Sequence, residues 1–178
     1  LGELYKGPFP FDIRPLMFGW DFLFAGRAPF QKNPGKDEVW NRGAYLVEGL
    51  GHCGECHTPR NLVMAEAALD ASDEAFLSGG EIAGWTAPPL RGLGSAIRGW
   101  SVDDVAMILS TARNAHSAVN GEMQLVVRDS TRFLSEEDLA AMSQFLVSLN
   151  DEGASRAGAE KDTETETEKL LASADPGM

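Results

Sequence analysis

The only two cysteines, Cys53 and Cys56, stand in the run Cys53-Gly54-Glu55-Cys56-His57. This is C-x-x-C-H, the attachment signature of c-type haem. The spacing has a physical reason. One turn of helix presents two thiols so that each can add to one vinyl group of the same porphyrin, and the adjacent histidine sits beneath the iron as an axial ligand. Covalent attachment also retains the group in a domain too small to enclose it. A redox dithiol of the thioredoxin kind would need a strand before the motif, whereas Tyr45-Leu46-Val47 reads as helix with no β-α-β pattern around it. Half of a zinc site would need a second Cys/His pair at ligand spacing, and the sequence has none.

A second axial ligand is expected from Met17, Met64, Met107, Met123, Met142, His52 or His116. Met107 and Met142 fall on helical faces, where methionine usually fills core. His52 directly precedes Cys53 and cannot reach the opposite face of a haem held there. Met123 falls in an expected loop, after Gly121-Glu122 and ahead of the helix start at Ser135. It lies opposite His57 if the last two helices flank the haem. Met123 is the preferred distal ligand and His116 the runner-up.

The elements that must position these residues are helical. Asp37 can cap a first helix with Val39, Ala44, Leu46, Val47 and Leu50 at helical spacing, ending near Gly51. A second helix is predicted from Ser101, with Asp103 and Asp104 favouring its dipole and Val105, Ile108, Leu109 and Ala112 on one face. A third starts at Ser135, where Ser135-Glu136-Glu137-Asp138 resembles a capping box; its apolar stripe is Leu139, Met142, Phe145, Leu146 and Leu149. No alternating run reads as a strand, so an all-α domain with long loops is expected. Residues 58–100 are rich in Gly and Pro, and loops that long need something to hold them. A three-helix core is thin for this size, and a large apolar cofactor would fill it.

The 178 residues carry a net charge of −12 and are 43% hydrophobic. That balance is globular and disfavours nucleic-acid binding. No apolar run approaches the roughly 20 residues of a membrane-spanning helix. Residues 151–178 hold eight acids, three bases and no aromatic residue, with Thr-Glu repeated from Thr163 to Glu168. They read as a disordered acidic tail. Residues 8–30 are aromatic and Pro-rich, with one short helix expected from about Leu16 to Phe24. Such an arm should pack on a neighbouring domain, a partner or a membrane surface. The expected division is an arm over 1–36, one domain over 37–150 and the tail over 151–178.

The stretch from Arg42 to Asn61, with Phe76-Leu77-Ser78-Gly79-Gly80-Glu81, Ala87-Pro88-Pro89-Leu90, Trp100-Ser101-Val102-Asp103-Asp104-Val105, Arg113-Asn114-Ala115-His116-Ser117 and Gly121-Glu122-Met123, resembles class I c-type cytochromes. More narrowly, it resembles one haem domain of the multi-haem cytochrome c subunit of membrane-bound quinoprotein alcohol dehydrogenases and flavin-dependent gluconate or sorbitol dehydrogenases. The resemblance covers about residues 39–149. It implies a class I cytochrome c fold, three to five helices around one covalent haem c. It gives Cys53 and Cys56 as attachment points and His57 and Met123 as iron ligands. It gives Pro88 as the carbonyl that accepts from the ligand histidine, and Leu90 as a haem contact. Trp85 and Trp100 would line the pocket or serve as core. Gly43 would allow a close crossing of the first and last helices near Phe145.

The resemblance further implies an electron-transfer module rather than the catalytic subunit. It would take electrons from a dehydrogenase subunit or a neighbouring haem and pass them to a quinone, an oxidase or another cytochrome. The expected location is periplasmic, with membrane association through partners. The family subunit carries three haem domains and this chain one C-x-x-C-H, so the chain is expected to be a piece of a longer one. The alternative is a haem enzyme whose distal site is open to peroxide or a sulfur compound.

Overall fold

The computed structural model describes Phe9, residues 13–24 and residues 29–150. The expected acidic tail, and residues 1–8, 10–12 and 25–28 of the arm, lie outside them. Helix α1 spans Arg14–Phe24. It starts two residues ahead of expectation because Pro15 falls in its first turn, where a missing N–H costs nothing. The Trp20 indole donates to the Val63 carbonyl (2.7 Å), tying α1 to the loop that follows the C-x-x-C-H turn. Leu16, Phe18, Phe22 and Leu23 remain exposed on it.

Helix α2, Glu38–Ala44, is capped as its sequence predicts, Asp37 accepting from the Trp40 N–H (2.7 Å). It continues as a π-helical turn, Tyr45–Leu50. The short helix α3, Cys53–His57, follows at once. Helix α4 spans Val102–Thr111 behind a reciprocal capping box of Ser101 and Asp104. Helix α5 spans Glu122–Asp129, and the last described helix, α6, covers residues 136–150.

Two expectations are corrected. The chain is mostly helical but not all-α: strands β1, Gly80–Ile82, and β2, Trp85–Ala87, form an antiparallel hairpin. Three-residue strands are too short to show alternation. Their turn is Ala83-Gly84, both at positive φ, as a tight hairpin turn requires. Met123 stands in the first turn of α5, not in a loop. Gly121 caps that helix without a side-chain hydrogen bond, and Val127 is its one buried residue, so the usual start signal and apolar stripe are both missing.

The core is the predicted α6 stripe, Leu139, Met142, Phe145, Leu146 and Leu149, packed on Leu46, Val47, Phe76, Leu77, Val105 and Leu109. Helices α2 and α6 cross at Gly43, where a Cβ would come 2.0 Å from the Ala141 carbonyl oxygen and 2.8 Å from the Phe145 Cβ. Trp40 packs edge-on against Phe145, and its indole donates to Ser148 Oγ (2.8 Å). The capping box expected at Ser135 is half made. Ser135 accepts from the Asp138 N–H, but the Asp138 carboxylate turns to a bidentate pair with Arg42 (2.7 and 2.9 Å). Buried Asn41 gathers the chain ahead of α2, donating to the Asn33, Lys36 and Asp37 carbonyls and accepting from the Asn33 N–H. Among the described residues no helix is long and apolar enough to cross a membrane.

This packing can be tested at two positions. Gly43→Ala forces α2 off the α6 backbone and should cost about 1–3 kcal/mol in denaturant unfolding, the usual penalty for overpacking; an unchanged midpoint would contradict the close crossing. Glu48 accepts from the Ala71 N–H (3.0 Å), and burial raises its carboxyl above the ordinary glutamate value, with Asp70 adding to the rise. A raised folded-state value means that its contribution to stability is full below the unfolded value and is lost as pH rises through the folded one. Glu48→Gln keeps an acceptor for Ala71. Its stability should match that of the parent in acid and exceed it at neutral pH; a constant difference across the titration would count against the assignment.

Candidate functional site

The site is built on α3. Backbone geometry turns sharply ahead of it: His52, at φ +49, is left-handed and caps the helix without a side-chain bond. Gly54 is buried beneath Phe76, whose ring atom Cε2 would lie 2.9 Å from a Cβ at that position. On its other side α3 meets β1. A Cβ on Gly80 would lie 2.5 Å from the Cys56 carbonyl oxygen and 2.9 Å from that of Thr58. Both contacts account for glycine at these two places in the sequence.

His57 is buried, and its Nδ1 lies 2.8 Å from the Pro88 carbonyl oxygen. A carbonyl only accepts, so Nδ1 carries the proton and donates, leaving the Nε2 lone pair for a metal. Burial lowers the His57 pKa, and the Pro88 bond partly opposes that. The neutral imidazole needed for ligation is therefore the favoured form.

Both thiols are free. Burial pushes the Cys53 thiol up to about 12, with Cys56 nearby adding to the rise. Burial also raises Cys56, with Glu55 contributing next. Reactive dithiols have lowered values, so the pair does not have the electrostatics of a thiol–disulfide catalyst. The chain leads into α3 through a π-helical turn, not a strand, which removes the other requirement of that reading.

The long loop is held by the α3 turn itself. The Gly79 N–H donates to the His57 carbonyl (2.7 Å) and the Leu77 N–H to Thr58 Oγ1 (3.0 Å). Leu77 is buried at φ +59, an unusual conformation for a bulky residue. Its carbonyl accepts from the Leu90 N–H (2.8 Å). The side chains of Arg91 and Asn150 finish the bracing, at the Asp73 carbonyl (2.7 Å) and the Leu90 carbonyl (3.0 Å) respectively. Thr58, Leu77, Arg91 and Asn150 have no local sequence signal, because these partners are distant in the chain.

Pro88 thus stands beside the C-x-x-C-H turn through His57, and Leu90 is held two residues on by Leu77 and Asn150. Trp85, three residues before Pro88, reaches the other flank. Its indole lies against Gly121, where a Cβ would meet Cδ2 at 2.7 Å. Gly121 opens the helix that carries Met123, and Met123 is partly buried against the core. The segment from Trp85 to Pro88 therefore reaches Gly121 at one end and His57 at the other. Trp100 and His116 are elsewhere engaged. Their rings stack at 5.2 Å, and His116 Nε2 lies 3.4 Å from Asp104, the carboxylate that caps α4. Met142 is core, Met107 is half-exposed on α4, and Met64 is exposed in the loop that receives Trp20.

The donor set fits a c-type haem. It comprises two thiols one helical turn apart and an imidazole with Nδ1 bonded and Nε2 available, with the Met123 thioether in the first turn of α5.

A cytochrome c-like arrangement is the class these features are compatible with: helices, a small hairpin, and C-x-x-C-H with its histidine fixed by a distant carbonyl. No family model matches the chain. It is 43% identical over 155 residues to the gluconate 2-dehydrogenase cytochrome c subunit of Pantoea cypripedii, covering 84% of this chain and 35% of that one. It is 44% identical over 148 residues to the cytochrome c subunit of the quinone alcohol dehydrogenase of Gluconacetobacter polyoxogenes, covering 79% and 31%. It is 36% identical over 149 residues to the fructose dehydrogenase cytochrome subunit of Gluconobacter japonicus, covering 80% and 29%. The chain is a homologue of cytochrome c subunits of dehydrogenases, and it spans about a third of the length of each of these relatives.

Replacing Thr58 by Val removes the acceptor of a buried N–H at a left-handed residue. The loss should be about 1–3 kcal/mol, the usual cost of an unsatisfied buried donor. Denaturant unfolding measures it, and a change within about 0.5 kcal/mol, as for an ordinary surface substitution, would show that Thr58 does not hold the loop.

Proposed function

We propose that residues 37–150 form a class I cytochrome c domain carrying one covalent haem c, and that it transfers electrons within a dehydrogenase system. The observation that carries this reading is the C-x-x-C-H turn whose histidine is buried and bonded to Pro88 (2.8 Å). Bound haem supplies the one-electron couple of its iron. Everything else is the work of the chain. Cys53 and Cys56 hold the group by thioether bonds. His57 would supply Nε2, with Pro88 setting the ring orientation and raising its basicity. Met123 would supply its sulfur, and a thioether ligand favours the reduced state. Leu90 and Trp85 form apolar wall, and the exposed half of Trp85 is area that a bound planar group would cover. His116, the runner-up ligand, is committed to Trp100 and Asp104. Trp100 in this reading supports the rim of the pocket.

The names of the relatives support a dehydrogenase as partner. In this reading the donor is a dehydrogenase of the alcohol or sugar type or a neighbouring haem, and the acceptor a quinone, an oxidase or a further cytochrome domain. The chain itself would be an electron-transfer module and not the catalytic subunit. Covalent haem attachment of this kind implies the periplasm, at the membrane through partners. The arm over 1–36 would be a linker or docking segment, and 151–178 a solvating tail.

Optical and EPR spectra of the haem-loaded protein test the ligand set. The expected result is low-spin iron in the parent and complete conversion to high-spin in Met123→Ala, with a lower reduction potential. High-spin iron in the parent would replace this reading by the haem enzyme with an open distal site. A low-spin spectrum unchanged by the substitution would remove Met123 from the iron.

A further inference from the structure

We propose that Trp85 is a positioning residue for Met123, acting through Gly121 from the hairpin that also receives His57. The inference rests on the reading of Met123 as distal ligand. Trp85 is the first residue of β2 and pairs with Ile82 across the hairpin. A Cβ on Gly121 would stand 2.7 Å from Cδ2, 2.9 Å from Cε2 and 3.1 Å from Cε3 of the indole. Those atoms belong to the fused body of the ring, so the indole covers the Gly121 Cα with no room for a side chain.

Gly121 adopts φ +58 and ψ −140, a conformation that L side chains rarely take. Two independent reasons therefore require glycine there. As the residue that opens α5 it makes no side-chain capping bond, and only its carbonyl, accepting from the Gln124 N–H (3.1 Å), ties it to the helix. The Trp85 ring adds the lateral restraint. Met123 follows two residues later, in the first turn of α5, and the lateral position of that turn sets where its sulfur can reach.

The other end of the strand completes the device. Ala87 leads into Pro88, whose carbonyl receives the His57 Nδ1–H. One three-residue strand, paired to β1 and pressed through Gly80 against α3, thus spans from the histidine to the methionine segment. Trp85 stands outside the helical core, and Gly121→Ala breaks the same contact while leaving the indole in place as haem wall. A loss of methionine ligation is therefore separable from a general loss of stability.

The test uses the haem-loaded ferric protein and four substitutions, Trp85→Ala, Trp85→Phe, Gly121→Ala and Met123→Ala. The readout is the near-red charge-transfer band of sulfur-ligated ferric iron, titrated with imidazole as a competing ligand, with thermal unfolding in parallel. In Trp85→Ala and Gly121→Ala imidazole should abolish the band at about tenfold lower concentration than in the parent, the effect of losing one aromatic contact. Trp85→Phe, which retains a flat ring, should restore most of the difference. The band should be absent in Met123→Ala. If Met123→Ala abolishes the band while Trp85→Ala and Gly121→Ala leave the imidazole dependence unchanged, the positioning role is overturned and the distal ligand stands. If Met123→Ala keeps the band, the ligand reading fails first. Equal losses in Trp85→Ala and Trp85→Phe, tracking the unfolding temperature, would reduce the contact to ordinary packing and overturn the proposal.

Discussion

The hydrogen bond from His57 Nδ1 to the Pro88 carbonyl joins residues 31 apart in the chain, and the rest of the site is arranged around it. It answers two requirements at once. A buried imidazole needs a partner for its N–H, and a metal-ligating imidazole needs the proton on the nitrogen that faces away from the metal. Pro88 supplies both, since a carbonyl can only accept. For the bond to form, the chain between must fold back onto α3. It does so through Gly79 to the His57 carbonyl, Leu77 to Thr58, and Leu90 to Leu77. A stretch that carries little regular structure is thereby held from inside by the His57 carbonyl and the Thr58 hydroxyl.

The helical frame has a different role. Helices α2 and α6 approach closely enough at Gly43 that no side chain fits, and Trp40 locks the crossing through Phe145 and Ser148. That places the apolar stripe of α6 against Leu46 and Val47, within the π-helical turn that delivers α3. The apolar contacts of the frame are continuous on this side. The C-x-x-C-H turn sits at its margin, with Cys53 and Cys56 only partly covered. Burial there raises both thiols, the opposite of the lowered values of a reactive dithiol.

Much of this is legible in the sequence because the signals are local. Asp37, Ser101 and Ser135 mark helix starts through side chains that reach only three residues ahead. The α6 stripe follows from period alone, and all five of its members are buried. The failures are equally physical. The hairpin is too short for alternation to register, and its Ala-Gly turn is a weak signal. Helix α5 lacks a capping side chain, so Met123 reads as loop. Asp138 has the spacing to close a capping box, but a guanidinium on another helix offers two charge-assisted bonds in place of one bond to a backbone N–H. His116 has the sequence context of a free loop histidine, and only the fold closes Trp100 and Asp104 on it.

The sequence alone determined the chemistry on offer: two thiols and an imidazole at the spacing of one helical turn, a few thioethers, and an apolar stripe to fold against. These depend on neighbours in the chain, and helical geometry converts spacing directly into direction. Tertiary structure decided which groups are employed. It gave His57 its partner, set Trp85 on Gly121, sent His116 to the N-terminus of α4 and put Leu77 into a left-handed conformation. Each of those outcomes is a contact between segments distant in sequence, fixed by the packing of α2 on α6 and by the need to satisfy every buried N–H along a long loop. No local pattern encodes such contacts, because the partner is chosen by the fold and not by the spacing.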